Sequence, residues 1–312
     1  MGSAFTASTI FRAVDQFSSV VNKMSSTNRT FAQKTNIGLR AVNNAFDATI
    51  GRVVNVQNAM FAGALATGYL TKEFIEYDSA ITSASARFSD LELNTIKGQR
   101  QFEKLKKVAR ETGAETKFTA TQVAEAMEKQ AQAGFTTSQS MATLRGTTNL
   151  AIAAKVGMAE ATGHAADALG AFNLMTEDSA QLTKNLARVN DVFARSSNMA
   201  KVELVEMIET GSVAGQSFTL AGQGLETFGA AAVALAKKSL RGSAAGTQLR
   251  AMIAKLADPS DKAQKLLSKL GVRVQDNKGN FRDLFDITDD LAKATSKLGT
   301  RQKSAAMSII FG

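Results

Sequence analysis

The sequence predicts an all-α protein, built as a multi-helix, Ala-rich bundle. Pro259 is the single proline among 312 residues, and helix-forming Ala, Leu, Lys, Gln and Glu are abundant, so little in the chain interrupts a helix. Hydrophobic residues make up 44% of the chain, enough for the core of one large or two ordinary domains. We expect three segments: an N-terminal amphipathic helical arm over 1–72, a helical core over 73–257 and a helix–hairpin–helix end over 258–312.

The N-terminal arm carries a coiled-coil-like pattern. Apolar residues follow alternating steps of four and three, and a second frame, displaced by four residues, begins at Leu39. The candidate helix-association seam consists of Ile10, Val14, Phe17, Val21, Met24, Phe31, Leu39, Val42, Phe46, Val53 and Met60. A straight helix from about residue 5 to 62 would span about 87 Å. We expect it to self-associate or to dock on a partner; an amphipathic helix folded back on its own domain is the alternative.

The arm is also basic, and its last part is uncharged. Residues 1–72 hold seven Lys or Arg against two acids, so we expect the basic excess of the chain to lie mainly here. A basic face could contact nucleic acid or anionic lipid through phosphate attraction, with DNA contact at most non-specific. A solvated helix face is the alternative, because the cations are spread out along the arm. Nineteen uncharged residues separate Arg52 from Lys72, about the length that spans a bilayer. Several Asn and Gln residues dilute this segment, and whether 53–71 enters a membrane stays open.

The core is predicted to be a succession of amphipathic helices separated by turns. Thr119 with Gln122, and Thr136 with Gln139, have the spacing of capping boxes that begin two of these helices. Apolar stripes at helical spacing predict the buried faces. The stripes are Val123, Met127 and Ala131; Leu182, Leu186, Val189 and Phe193; Leu225, Phe228, Ala232 and Leu235; and Leu249, Ile253 and Leu256.

The C-terminal segment contains the one β element that the sequence predicts. Val272 and Val274 alternate with polar residues, the run 276–279 favours a tight turn, and Phe281 can cover a core. We therefore expect a small β-hairpin near 272–281. Because an isolated hairpin is unstable alone, it should pack on the flanking helices.

The residue inventory offers little chemistry. Without cysteine the chain has no disulfide, thiolate zinc site or cysteine nucleophile. His164 is the only histidine, so one chain cannot assemble a multi-histidine metal site. The glycines at 222, 224 and 229 do not have the dinucleotide-binding spacing. The sequence therefore predicts no catalytic residues, no cofactor and no metal.

Several segments together resemble the core of phage tail tape measure proteins. They are ETGAETKFTATQVAEAMEKQAQAGFTTSQSMATLRGTTNLAIAAKVGM (111–158), SLRGSAAGTQLRAMIAKLADPS (239–260), LGVRVQDNKGNFRDLFDI (270–287) and the final IIFG. Each segment is a common helical or turn pattern, and their order carries the resemblance, which covers about residues 70–312. Members of the family usually continue for hundreds of residues more, so we expect this chain to be a fragment of a longer protein.

The resemblance implies a structural protein that sets tail length and assists tail assembly and genome ejection. It implies a place in the virion tail lumen, after synthesis in the host bacterial cytoplasm. The implied partners are tail tube subunits, tail tip or baseplate proteins and tail assembly chaperones, besides other copies of the chain and a possible contact with the host membrane. Two alternatives stay open: a membrane-active protein that forms a channel during ejection, and a tail-associated cell-wall hydrolase.

Overall fold

The computed structural model describes residues 67–312, with side chains from Lys72 onward. All eleven seam residues, and the whole of the helix predicted at about 5–62, lie outside these described residues. So does most of the segment 53–71. Among the described helices, none is long and apolar enough to cross a membrane.

The all-α prediction is confirmed for the described residues, which form twelve helices and no strand. The helices are α1 (Thr67–Arg87), α2 (Ile96–Glu115), α3 (Ala120–Gln132), α4 (Thr137–Ala154), α5 (Met158–Ala171), α6 (Ser179–Ala200), α7 (Leu204–Leu220), α8 (Leu225–Ala236), α9 (Gly242–Ala257), α10 (Asp261–Lys269), α11 (Leu284–Thr295) and α12 (Thr300–Phe311).

The chain divides into two compact units. The described part of the first comprises residues 67–163 and 177–183, and the second comprises 164–176 and 184–312. The predicted segment boundaries at 72/73 and 257/258 stay a prediction.

In the first unit, α3 is packed between α1 and α2, and α4 packs on both α2 and α3. The predicted stripe on α3 is confirmed, since Val123, Met127 and Ala131 are all buried. Both capping boxes are confirmed as well: the Thr119 hydroxyl accepts a hydrogen bond from the Gln122 N–H, and Thr136 does the same for Gln139. These caps satisfy backbone N–H groups that no helical carbonyl can reach, which fixes where α3 and α4 begin.

In the second unit, α7 packs on α8 and α9, α8 packs on α9, and α12 contacts both α9 and α10. The predicted stripe residues of this unit are buried, except that Leu235 is partly exposed. Nearly every residue that the apolar periodicity placed in the core is therefore buried, although no stripe was predicted on α7, which has eight buried residues.

The predicted β-hairpin at 272–281 is wrong. The segment forms a tight turn with one isolated antiparallel bridge between Gln275 and Phe281, and no strand. Both ends of the segment are taken up by helices: the Val272 N–H donates to Leu267 O at the end of α10, and the Asp283 carboxylate caps α11. Between these ends, the Asp276 N–H donates to Asn280 O and the Arg282 N–H to Val274 O, and this pairing does not extend into a strand ladder.

Candidate functional site

The candidate functional site in the described residues is the helix-packing core of the second unit, since the predicted seam lies outside them. Four phenylalanine side chains from four different parts of the chain meet there. Phe172 follows α5, and Phe193, Phe218 and Phe228 belong to α6, α7 and α8. Phe228 is central: its ring centroid lies 5.1 Å from that of Phe172, 6.0 Å from Phe193 and 5.5 Å from Phe218. The tilted and edge-on ring arrangements are those that aromatic quadrupoles favour.

Glycines on α7 make room for this aromatic cluster. A Cβ atom added to Gly215 would lie 2.9 Å from the Phe172 ring, and one added to Gly211 would lie 2.7 Å from the Phe193 ring. Such distances are shorter than real Cβ contacts allow. The rings therefore press directly against the α7 backbone.

A second close approach joins α7 and α9. A Cβ atom on Gly246 would lie 2.6 Å from Val213 Cβ and 2.9 Å from the carbonyl oxygen of Thr210. The Thr210 hydroxyl lies 3.0 Å from Gly242 O, at the start of α9, and 2.8 Å from Glu206 O within α7. The two helices thus meet backbone to backbone, as small residues at an interface permit.

Gln223 connects the turn after α7 to the segment that enters α11. Its Nε2 donates to Arg282 O (3.1 Å), and its Oε1 accepts from the Leu284 N–H (2.8 Å). The side chain is buried, and it satisfies two backbone groups about sixty positions away in the sequence. It therefore holds the turn 272–281 in place from the α11 side.

One bidentate ion pair joins α6 to α8. Arg188 Nε donates to Glu226 Oε1 (2.7 Å) and Arg188 Nη2 to Glu226 Oε2 (2.6 Å). The hydrogen bond from Arg188 lowers the pKa of Glu226. The pair therefore adds stability above the ordinary glutamate pKa and loses it as the pH falls through the lowered value. Both side chains are partly exposed to solvent, so the contribution is small.

The first unit holds a buried polar network between α3 and α4. Gln130 Oε1 accepts a hydrogen bond from the Ser140 hydroxyl, while Gln130 Nε2 lies 3.1 Å from Thr143 Oγ1 and 3.5 Å from Thr147 Oγ1. All four side chains are buried. Because a buried amide is costly unless its hydrogen bonds are made, this network favours one register of the helix pair.

The described residues contain no constellation that suggests bond-making chemistry. His164 lies within α5, and residues 67–312 contain no group of three or more His, Asp or Glu side chains placed to hold a metal ion. What the geometry does provide is closely packed helices with polar contacts that fix their register.

A family model described as phage-related minor tail protein matches residues 106–312, which is about two thirds of the chain. The chain belongs to the phage-related minor tail protein family. The matched residues begin within α2 and extend through α12, so they include the polar network, the aromatic cluster and the α7–α9 contact.

Two relatives of this minor tail protein agree with the family. The chain is 29% identical over 209 residues to the tape measure protein of Pneumococcus phage Dp-1, covering 67% of this chain and 18% of that protein. It is 30% identical over 222 residues to a probable tape measure protein of Escherichia phage P2, and the match covers 70% of this chain and 26% of that protein. The resemblance to tape measure proteins is thus confirmed, although the chain spans only about a quarter or less of either relative. No solved structure matches it.

The sequence did not predict the polar members of the minor tail protein's core. Glutamine usually lies on a protein's surface, and the hydrogen-bond partners of Gln130 and Gln223 are on other helices or at distant positions in the sequence. Of the four phenylalanines, Phe193 and Phe228 were predicted to be buried on their own helices. The sequence did not predict that four separate segments bring these rings together.

Proposed function

We propose that this chain is part of a tail tape measure protein, a structural component that sets tail length and works without making or breaking covalent bonds. The similarity to two tape measure proteins supports this most directly. The helical body of residues 67–312, with its fixed helix registers, agrees with it.

In this proposal, the complete protein lies along the tail lumen while tube subunits polymerise around it. Tail tip or baseplate proteins hold one end, and assembly chaperones keep the protein soluble in the host cytoplasm before assembly. The folded body described here occupies one part of the protein, while long helical segments such as the predicted N-terminal arm supply length. Each helical residue adds about 1.5 Å.

Tail length tests the proposal. Removing 28 residues, four heptads, from the region 5–62 of the complete protein should shorten the tails by about 42 Å. The measurement is the length distribution by electron microscopy of phage particles that carry the altered gene. A same-length replacement of those 28 residues by another helical sequence is the control and should leave the length unchanged. Tails of constant length across such deletions would refute the proposal.

We also propose that the arm associates with other copies through its seam. Replacing Val14 and Val21 together by Asp places two charges in the seam, and we expect the assembly to dissociate to monomer because buried unpaired charges are strongly unfavourable. Light scattering on the purified chain measures this. Replacing Ser19 and Ser26 by Asp, both on the opposite side of the same heptads, should leave the mass unchanged. If the parent chain is monomeric, or if both variants lose the same mass, association through the seam is ruled out.

A further inference from the structure

Positive charge is concentrated in residues 237–312. This segment holds 15 Lys or Arg against 7 Asp or Glu, a net charge of +8, whereas residues 73–236 hold 15 against 19, a net charge of −4. The prediction that the basic excess lies mainly in residues 1–72 is therefore wrong. The segment belongs entirely to the second unit.

Four of the seven carboxylates in this segment are engaged locally. Asp276 accepts hydrogen bonds from two backbone N–H groups of its own turn, and Asp283 caps α11. Asp289 pairs with Lys293 (2.6 Å) and Asp290 with Arg282 (2.9 Å). Most of the cations in 237–312 are therefore not balanced by these acids, and all of them except the partly buried Arg282 are exposed.

Helix α10 arranges three of these cations in a row. Lys262, Lys265 and Lys269 lie at steps of three and four, so they share one face over about 10 Å of helix. Ala263 and Leu267, on the opposite side, are buried.

We propose that the lysine row of α10 binds the phosphate backbone of duplex DNA without sequence preference. Duplex DNA carries one negative charge per about 1.7 Å of its axis, so a row of this length finds phosphates at any register. The row has no aromatic residue on which single-stranded bases could stack. A membrane surface fits less well, because α10 buries its apolar side within the protein and has none left for lipid.

The test measures binding of the full chain to a fluorescent 25-base-pair duplex by anisotropy at several salt concentrations. Replacing Lys262, Lys265 and Lys269 together by Gln should weaken binding about tenfold or more at 100 mM salt. It should also reduce the slope of log affinity against log salt by about 2–3, since each lost phosphate contact removes about 0.9. All three side chains are exposed, so the circular dichroism spectrum and melting temperature should not change.

The matched control removes the same charge from the first unit. Lys97, Lys104 and Lys107 are exposed on one face of α2, where Glu103 and Glu111 lie beside them. Their replacement by Gln should alter the affinity by less than about twofold. Equal losses in both variants, or no duplex binding by the parent chain at 50 mM salt, would overturn the proposal. Binding to phosphatidylserine vesicles or polyglutamate, but not to the duplex, would overturn it too. The site does not depend on the tape measure assignment.

Discussion

Replacing Phe228 by Ala is expected to lower the free energy of unfolding by about 3–5 kcal/mol, the largest single-residue effect that we expect in this chain. The Phe228 side chain is completely buried, and its ring contacts Phe172, Phe193 and Phe218. The substitution removes apolar contact with three separate segments of the chain at once. It also leaves a cavity that the rigid neighbouring rings cannot fill. Urea denaturation followed by far-UV circular dichroism measures the loss.

Phe285 provides the control for this prediction. It lies on α11 with 44% of its surface exposed, and replacing it by Ala should change the free energy of unfolding by less than about 1 kcal/mol. If the two substitutions had equal effects, the aromatic cluster would not be the centre of the second unit's stability.

Local features of the fold could be predicted from the sequence. The capping boxes at Thr119 and Thr136 need only residues three positions apart, and the stripe Val123, Met127 and Ala131 needs only one helix. Interactions of this kind depend on the geometry of a single helix. Their outcome does not depend on how the rest of the chain packs.

Features that depend on distant contacts could not be predicted. The buried Gln223 side chain forms hydrogen bonds with Arg282 O and the Leu284 N–H, and no residue near Gln223 in the sequence indicates these distant partners. The β-hairpin prediction failed for the same kind of reason. Val272 and Val274 alternate with polar residues as in a strand, but the Val272 N–H is bound to Leu267 O of α10, and α11 begins directly after Asp283. The helix ends therefore override the local preference for a strand.

The core of the second unit also depends on glycines. Because they have no side chain, apolar periodicity gives no signal for them. Replacing Gly246 by Ala is expected to lower the free energy of unfolding by about 2 kcal/mol, although Ala is the better helix former. The new Cβ would collide with Val213 Cβ and with the carbonyl oxygen of Thr210. Val213 Cβ is bonded directly to the α7 backbone, and the Thr210 carbonyl is part of that backbone, so neither atom can rotate away and α7 and α9 must separate.

Gly163 offers the same substitution without the collision. It lies inside α5, and a Cβ atom there would meet nothing within 4 Å. We expect Gly163→Ala to raise the free energy of unfolding by about 0.5–1 kcal/mol, through helix propensity alone. The two glycine substitutions should therefore shift the urea midpoint in opposite directions. A stabilising effect at both positions would mean that α7 and α9 can move apart at little cost, and that their close approach does not define the packing of this unit.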